Sequence, residues 1–196
     1  GDTDNETNWI QMGQMKTIAD RAIANEEAVP MIIVMPDAWD TWYINQYDGK
    51  APYEDMFFEE LIPYMEKTYR IRSNKESRAI AGLSMGGYGS FLYSLHHPDM
   101  FCACAPLSAA VFDDTVMEAR KNKSHKDLFN RLFGPGDEHW QQNNVLKILS
   151  DWNQNDLPKI RYYIDCGDDD GLLDGNMQVH QIMRQKGIRH EFRVRN

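Results

Sequence analysis

The five residues Gly82-Leu83-Ser84-Met85-Gly86 lie between a short apolar run and a stretch of small residues, and together they dictate a sharp reversal from strand to helix. Arg78-Ala79-Ile80-Ala81 reads as a buried strand, and Gly87 to Leu95 reads as a helix. With glycine two positions either side, the turn is so tight that the serine must take a strained backbone conformation. Side chains at 82 and 86 are expected to collide with neighbouring backbone. The serine hydroxyl then stands exposed at the carboxyl end of the sheet. The backbone N–H of Met85, at the start of the helix, points to where an oxyanion would form. Gly-x-Ser-x-Gly with these flanks makes Ser84 a candidate nucleophile rather than an incidental serine in a glycine-rich turn.

The rest of the chain repeats the alternation of strand and helix. Val29-Pro30-Met31-Ile32-Ile33-Val34-Met35-Pro36 is a continuous apolar run, as in a strand buried on both faces. Further strands are expected at Phe101–Leu107, Ile160–Cys166 and Arg189–Arg195, the last as an outer strand. Helices are expected at Met12–Ala28, Tyr53–Tyr69 (kinked by Pro63) and Asp174–Lys186. This pattern predicts an α/β fold with a mainly parallel sheet. Residues 1–196 read as one domain, with a polar, mostly helical insert over 112–158.

Several function classes fall away on composition. The net charge is −9, whereas nucleic acid or an anionic membrane requires a basic face. No apolar run is long enough to span a bilayer. The three cysteines, Cys102, Cys104 and Cys166, have no zinc spacing and read as buried free thiols. The acidic stretch Asp168-Asp169-Asp170-Gly171 fails the calcium-loop pattern, because Leu172 and Val179 fall where ligands are needed. No metal or organic cofactor is implied.

A serine nucleophile needs a base, and the base needs an orienting acid. The strand Tyr162 to Gly167 runs directly into Asp168, Asp169 and Asp170, so one of these three is the natural acid. The aromatic residues Trp39, Trp42, Tyr43 and Tyr47 lie in the Pro36–Pro52 loop, which leaves the carboxyl end of the expected Ile32 strand. Ligands bind at that end of open α/β sheets, so Trp39, Trp42 and Tyr43 are candidate substrate-binding residues, with packing under the insert as the alternative.

With these segments in place, the chain resembles the esterase D/feruloyl-esterase type of α/β-hydrolase. The resemblance runs through Pro30–Pro36, Tyr53–Tyr69, Ala79–Ser90 and Asp165–Val194, with Ala81-Gly82-Leu83-Ser84-Met85-Gly86-Gly87 the most specific piece. It implies a serine esterase acting through an acyl-enzyme on Ser84. Matched to the family's Cys-Gly-x-x-Asp stretch, Cys166-Gly167-Asp168-Asp169-Asp170 puts the acid at Asp170. The family histidine follows the strand matching Arg189–Arg195, so it is expected just after Asn196. His96, His97, His125, His139, His180 and His190 are none of them in that place.

The second oxyanion donor of the family lies in a loop whose tail matches Gly1, and the strand leading into that loop belongs between the Ile32 and Ala79 strands. This chain is therefore expected to be an interior segment of a longer protein. The resemblance implies removal of feruloyl or acetyl groups from plant cell-wall polysaccharide such as xylan, by a secreted or periplasmic enzyme. The alternatives are a cytoplasmic S-formylglutathione hydrolase and a non-catalytic hydrolase-like binding domain.

Overall fold

The computed structural model describes residues 5–122, 125–153 and 159–196. The loop tail expected at Gly1, and positions 123–124 and 154–158 of the expected insert, lie outside the described residues. In chain order the helices and strands are α1 (Asn8–Gln11), α2 (Met15–Ala24), α3 (Tyr53–Asp55), α4 (Ile62–Thr68), β1 (Ala79–Leu83), α5 (Met85–His96), β2 (Ala103–Leu107), α6 (Asp114–Asn122), α7 (Lys126–Phe133), α8 (Glu138–Asn143), α9 (Val145–Asp151), β3 (Arg161–Gly167), α10 (Leu173–Gln185) and β4 (His190–Arg195). A π-helical turn, Met56–Leu61, joins α3 to α4.

Among the described residues the four strands form one wholly parallel sheet in the order β1-β2-β3-β4. The register brings their carboxyl ends to one edge. Leu83 lies opposite Leu107, Leu107 opposite Asp165, and Gly167 opposite Arg195. Every loop leaving a strand therefore opens on the same side, which is where such a sheet binds ligands.

Helix α5 is the crossover between β1 and β2 and the centre of the core, buried from Met85 to Leu95. Gly86, Gly87 and Gly89 let neighbouring segments approach it closely. The hydroxyls of Ser90 and Ser94 donate to carbonyls three residues back, at 2.9 and 2.7 Å, so burying them leaves no donor unmade. Strands β2 and β3 alternate in burial, with Cys104, Tyr162, Ile164 and Cys166 turned into the core. Cys104 and Cys166 are the buried free thiols expected; Cys102 is only half-buried. Helix α9 packs on both α5 and α10.

Three expected features take a different form. The Val29–Pro36 run forms no strand, and Val29, Met31, Ile32, Ile33 and Val34 are exposed rather than buried on both faces. Apolar, β-branched residues favour extended backbone, but a strand exists only where another segment accepts its hydrogen bonds, and among the described residues no ladder reaches this run. For the same reason β1 is an edge strand among the described residues and is mostly exposed, not the buried strand its composition suggests. The single helix expected over Tyr53–Tyr69 is divided: the π turn Met56–Leu61 precedes α4, and Pro63 sits in the first turn of α4, where its missing N–H costs no α-helical bond.

Candidate active site

Ser84 has φ 59° and ψ −115°, a backbone conformation that an L-residue holds only under constraint. The constraint comes from three hydrogen bonds. Ser84 N–H donates to Leu107 C=O at 2.9 Å, and Ser84 C=O accepts from Tyr88 N–H and Ala110 N–H, each at 3.0 Å. The turn is thus clamped to the loop after β2 as well as to its own helix.

The glycines take unequal parts. A Cβ on Gly82 would come within 2.0 Å of Gly86 C=O, and one on Gly87 within 2.8 Å of both Leu107 C=O and Ala109 Cα. One on Gly86 would meet the Tyr43 side chain, nearest at its hydroxyl, 3.3 Å away, and no backbone outside its own helix. The expectation of a backbone collision therefore holds for Gly82 and not for Gly86; the second position closed by backbone is Gly87.

Met85, first residue of α5, directs its N–H out of the helix N-terminus with no acceptor inside the helix. It lines a small cavity of about 90 Å³ together with Ser84, Trp42, Ala110, Phe112, Arg120 and Leu172. At roughly 15 Å³ per water, this holds a few small groups around the serine. Arg120 is the one charged residue among the described residues lining it.

The loop after β3 separates the three aspartates. Asp168 and Asp169 are exposed, whereas Asp170 is half-buried, with a carboxylate oxygen accepting the Leu172 N–H at 2.9 Å. Asp170 C=O also accepts from Leu173 N–H at 2.9 Å. Asp170 therefore shapes the turn that carries Leu172 to the cavity. Asn176, wholly buried on α10, donates to Ala109 C=O at 2.9 Å and to Leu172 C=O at 2.8 Å, tying two walls of the site together.

The aromatic loop divides. Trp39 is 69% exposed and does not line the cavity. Tyr43 lies flat on α5, where a Cβ on Gly89 would fall 2.4 Å from its ring, and it also stays out of the cavity. Burial, with Asp37 adding to it, holds the Tyr43 phenol above its ordinary pKa. Trp42 alone of the three reaches the cavity. It is 4% exposed, lies within 6 Å centroid distance of Tyr88, Phe112 and Phe129 (5.6, 5.8 and 5.2 Å), and its indole N–H has no partner among the described residues. Trp39, Trp42 and Tyr43 all carry positive φ, so the loop is bent sharply where it approaches the helix.

The histidines are engaged elsewhere. His96 Nδ1 and His97 Nε2 donate to one oxygen of Glu54 at 2.8 and 2.9 Å, and His96 Nε2 meets Gln142 C=O at 3.0 Å. Both nitrogens of His96 thus face acceptors, the arrangement of an imidazolium. Burial pushes the Glu54 carboxyl up, but the bonds from His96 and His97 outweigh it and hold the group down at about 2. His139 Nε2 meets Asn45 C=O at 2.8 Å, and His180 pairs with His190 at 2.7 Å. His125 stacks its edge on Phe129. None of the six lines the cavity.

Sequence reasoning missed Arg120, Leu172 and Asn176. Asn176 did leave a signal: it shares a helix face with Val179 and Met183, both wholly buried, and an amide on an apolar stripe needs partners. Arg120 left none.

The esterase family model matches residues 3–195. A solved ferulic acid esterase is 35% identical, with a TM-score of 0.80 over 98% of this chain and 73% of that one. An endo-1,4-beta-xylanase/feruloyl esterase of Xylanibacter ruminicola is 34% identical over 112 residues, 56% of this chain and 15% of that protein. An acetyl esterase of Caldicellulosiruptor saccharolyticus is 24% identical over 165 residues, 80% of this chain and 60% of that protein. The chain thus spans between about a seventh and three fifths of the length of these two curated relatives. With its strand–serine–helix turn and parallel sheet, and with the family model covering nearly all of it, this chain belongs to the esterase family and has the α/β-hydrolase fold.

Proposed function

We propose that the protein is a serine carboxylic-ester hydrolase and that Ser84 is its nucleophile. The carrying observation is the strained Ser84 at the mouth of a cavity that Met85 also lines, in a chain of the esterase family. The Ser84 hydroxyl attacks the ester carbonyl, the alcohol leaves, and water releases the acyl group from the acyl-enzyme. The Met85 N–H donates to the oxyanion of each tetrahedral intermediate, aided by the positive end of α5.

Asp170 orients the base, a role that its partial burial favours over Asp168 and Asp169. That base is a histidine, the side chain suited to take the serine proton. β4 ends beside the aspartate loop, with Gly167 opposite Arg195 and Asp168 N–H donating to Arg195 C=O at 2.8 Å.

The substrate we infer is a feruloyl or acetyl ester on a plant cell-wall polysaccharide such as xylan. The names of the ferulic acid esterase, the xylanase/feruloyl esterase and the acetyl esterase support it. A polymer of that kind does not cross membranes, so the enzyme acts outside the cytoplasm.

In the full-length protein, Ser84→Ala lowers hydrolysis of p-nitrophenyl acetate about a thousandfold or more and leaves the circular-dichroism spectrum unchanged. Activity within tenfold of wild type removes Ser84 from the mechanism. Chromatography of wheat arabinoxylan digests then reads ferulate and acetate. Release of neither, with S-formylglutathione cleaved instead, moves the substrate to the thioester.

A further inference from the structure

Asn176 is joined to the serine turn by an unbroken line of hydrogen bonds. It is wholly buried on α10, and its amide nitrogen donates to Leu172 C=O, one turn back, and to Ala109 C=O, in the loop after β2. The first bond holds the amide still; the second leaves the helix. Its Oδ1 is buried with no partner among the described residues. Burying an unpaired acceptor costs stability, so packing alone does not account for an amide here. Gly175 beside it brings α10 hard against the same loop, where a Cβ would fall 2.1 Å from Val111 C=O.

The line continues through two peptide planes. Ala109 C=O and Ala110 N–H belong to one peptide group, and Ala110 N–H donates to Ser84 C=O at 3.0 Å. Ser84 C=O and Met85 N–H belong to the next. No peptide bond among the described residues is cis. A planar trans peptide points its C=O and N–H in opposite directions, so a donor bound at one end fixes the direction of the N–H at the other. The order is Asn176 Nδ2–H, the Ala109–Ala110 peptide, the Ser84–Met85 peptide, and then the cavity that Met85 lines. Ser84 C=O also accepts from Tyr88 N–H, the ordinary bond of a first helical turn; the Ala110 bond is the additional one. Hydrogen bonds aligned in this way polarise one another, which makes the last N–H a stronger donor.

We propose that Asn176 is a positioning residue for the oxyanion: through the Ala109–Ala110 and Ser84–Met85 peptides it aims and strengthens the Met85 N–H. The inference rests on the reading of Ser84 as the nucleophile. The oxyanion forms only as the ester carbonyl is attacked. The effect of Asn176 therefore falls on the transition state and leaves ground-state binding alone.

A trifluoromethyl ketone carrying a carbon-13 label at its carbonyl reads the oxyanion directly in the full-length enzyme. The serine oxygen adds to the carbonyl carbon, its proton passes to the base, and the hemiketal oxygen is then either protonated or an oxyanion, with distinct carbon-13 shifts. Donation from Met85 N–H favours the oxyanion and lowers the hemiketal pKa. In Asn176→Leu and Asn176→Ala that pKa rises by about 1, a tenfold change in proton affinity, and kcat/KM for p-nitrophenyl acetate falls about tenfold per site titrated with a fluorophosphonate. Val179→Ala opens a cavity at another wholly buried position of α10; it lowers the melting temperature and moves neither value. Alanine needs less room than asparagine, so Asn176→Ala carries the test alone where Asn176→Leu does not fold. A hemiketal pKa within about 0.3 of wild type, with kcat/KM within about twofold, in a folded Asn176 variant overturns the proposal and leaves Asn176 as a tie between loops. Equal changes in Val179→Ala overturn it too, because any loosening of α10 would then suffice. A hemiketal signal that persists in Ser84→Ala would instead overturn the nucleophile assignment beneath it.

Discussion

At the scale of single residues, neighbours in sequence divide sharply in role. Asp168, Asp169 and Asp170 share a charge and a loop, yet only Asp170 is drawn partly out of water and bonded to a backbone N–H beside the serine cavity. An acid that fixes the tautomer of a histidine has to be held in place; an exposed one contributes little more than a screened field. Asp170→Asn is therefore expected to lower kcat/KM for p-nitrophenyl acetate by about a thousandfold or more, and Asp168→Asn and Asp169→Asn by less than about threefold. Equal losses at all three would show that the loop acts through its charge. The glycines of the turn divide in the same way. Gly82 was legible because a five-residue turn brings its own backbone together, whereas Gly87 is closed by Leu107 and Ala109, some twenty residues away. No local pattern carries that second contact.

Among the secondary elements, the clearest fastening is Glu54 of α3 with His96 at the end of α5 and Gln142 in α8. It joins α3 to the central helix α5 and to α8. His97 shares the Glu54 carboxylate oxygen. For Glu54, held down at about 2 from 4.5, stability is present above 4.5 and is lost as pH falls toward 2. For His96 burial acts downward, but the bond to Glu54 outweighs it and the folded pKa lies above 6.5. Its contribution is therefore full below pH 6.5 and fades as pH rises through that higher value. The two overlap between pH 4.5 and 6.5. Thermal melts of wild type are expected to show their advantage over Glu54→Gln in that window, on the order of 3 kcal/mol, narrowing on both sides. A difference independent of pH would assign Glu54 a purely steric role.

Taken as a whole molecule, the fold concentrates its chemistry on one edge and its unpartnered apolar surface elsewhere. Val29, Met31, Ile32, Ile33 and Val34 are exposed in a run without ladder partners among the described residues. Contiguous apolar surface of this kind promotes association. Ile32→Lys with Val34→Lys is expected to reduce dye binding and concentration-dependent sedimentation of the 196-residue chain while changing stability by less than about 0.5 kcal/mol. A large loss of stability would mean that the run is packed after all. The amino-acid sequence by itself determined the serine turn, the alternation of parallel strands and helices, and the place of the aspartate loop after β3. Each of these is written in contiguous residues, through backbone sterics, periodicity and the order of elements. Only the tertiary structure decided that Trp42 and not Trp39 or Tyr43 reaches the serine, that Arg120 stands beside it, and that Val29–Pro36 is no strand. Those outcomes depend on which distant segment supplies a wall or a hydrogen-bond partner, and a residue's own neighbours in sequence do not specify that.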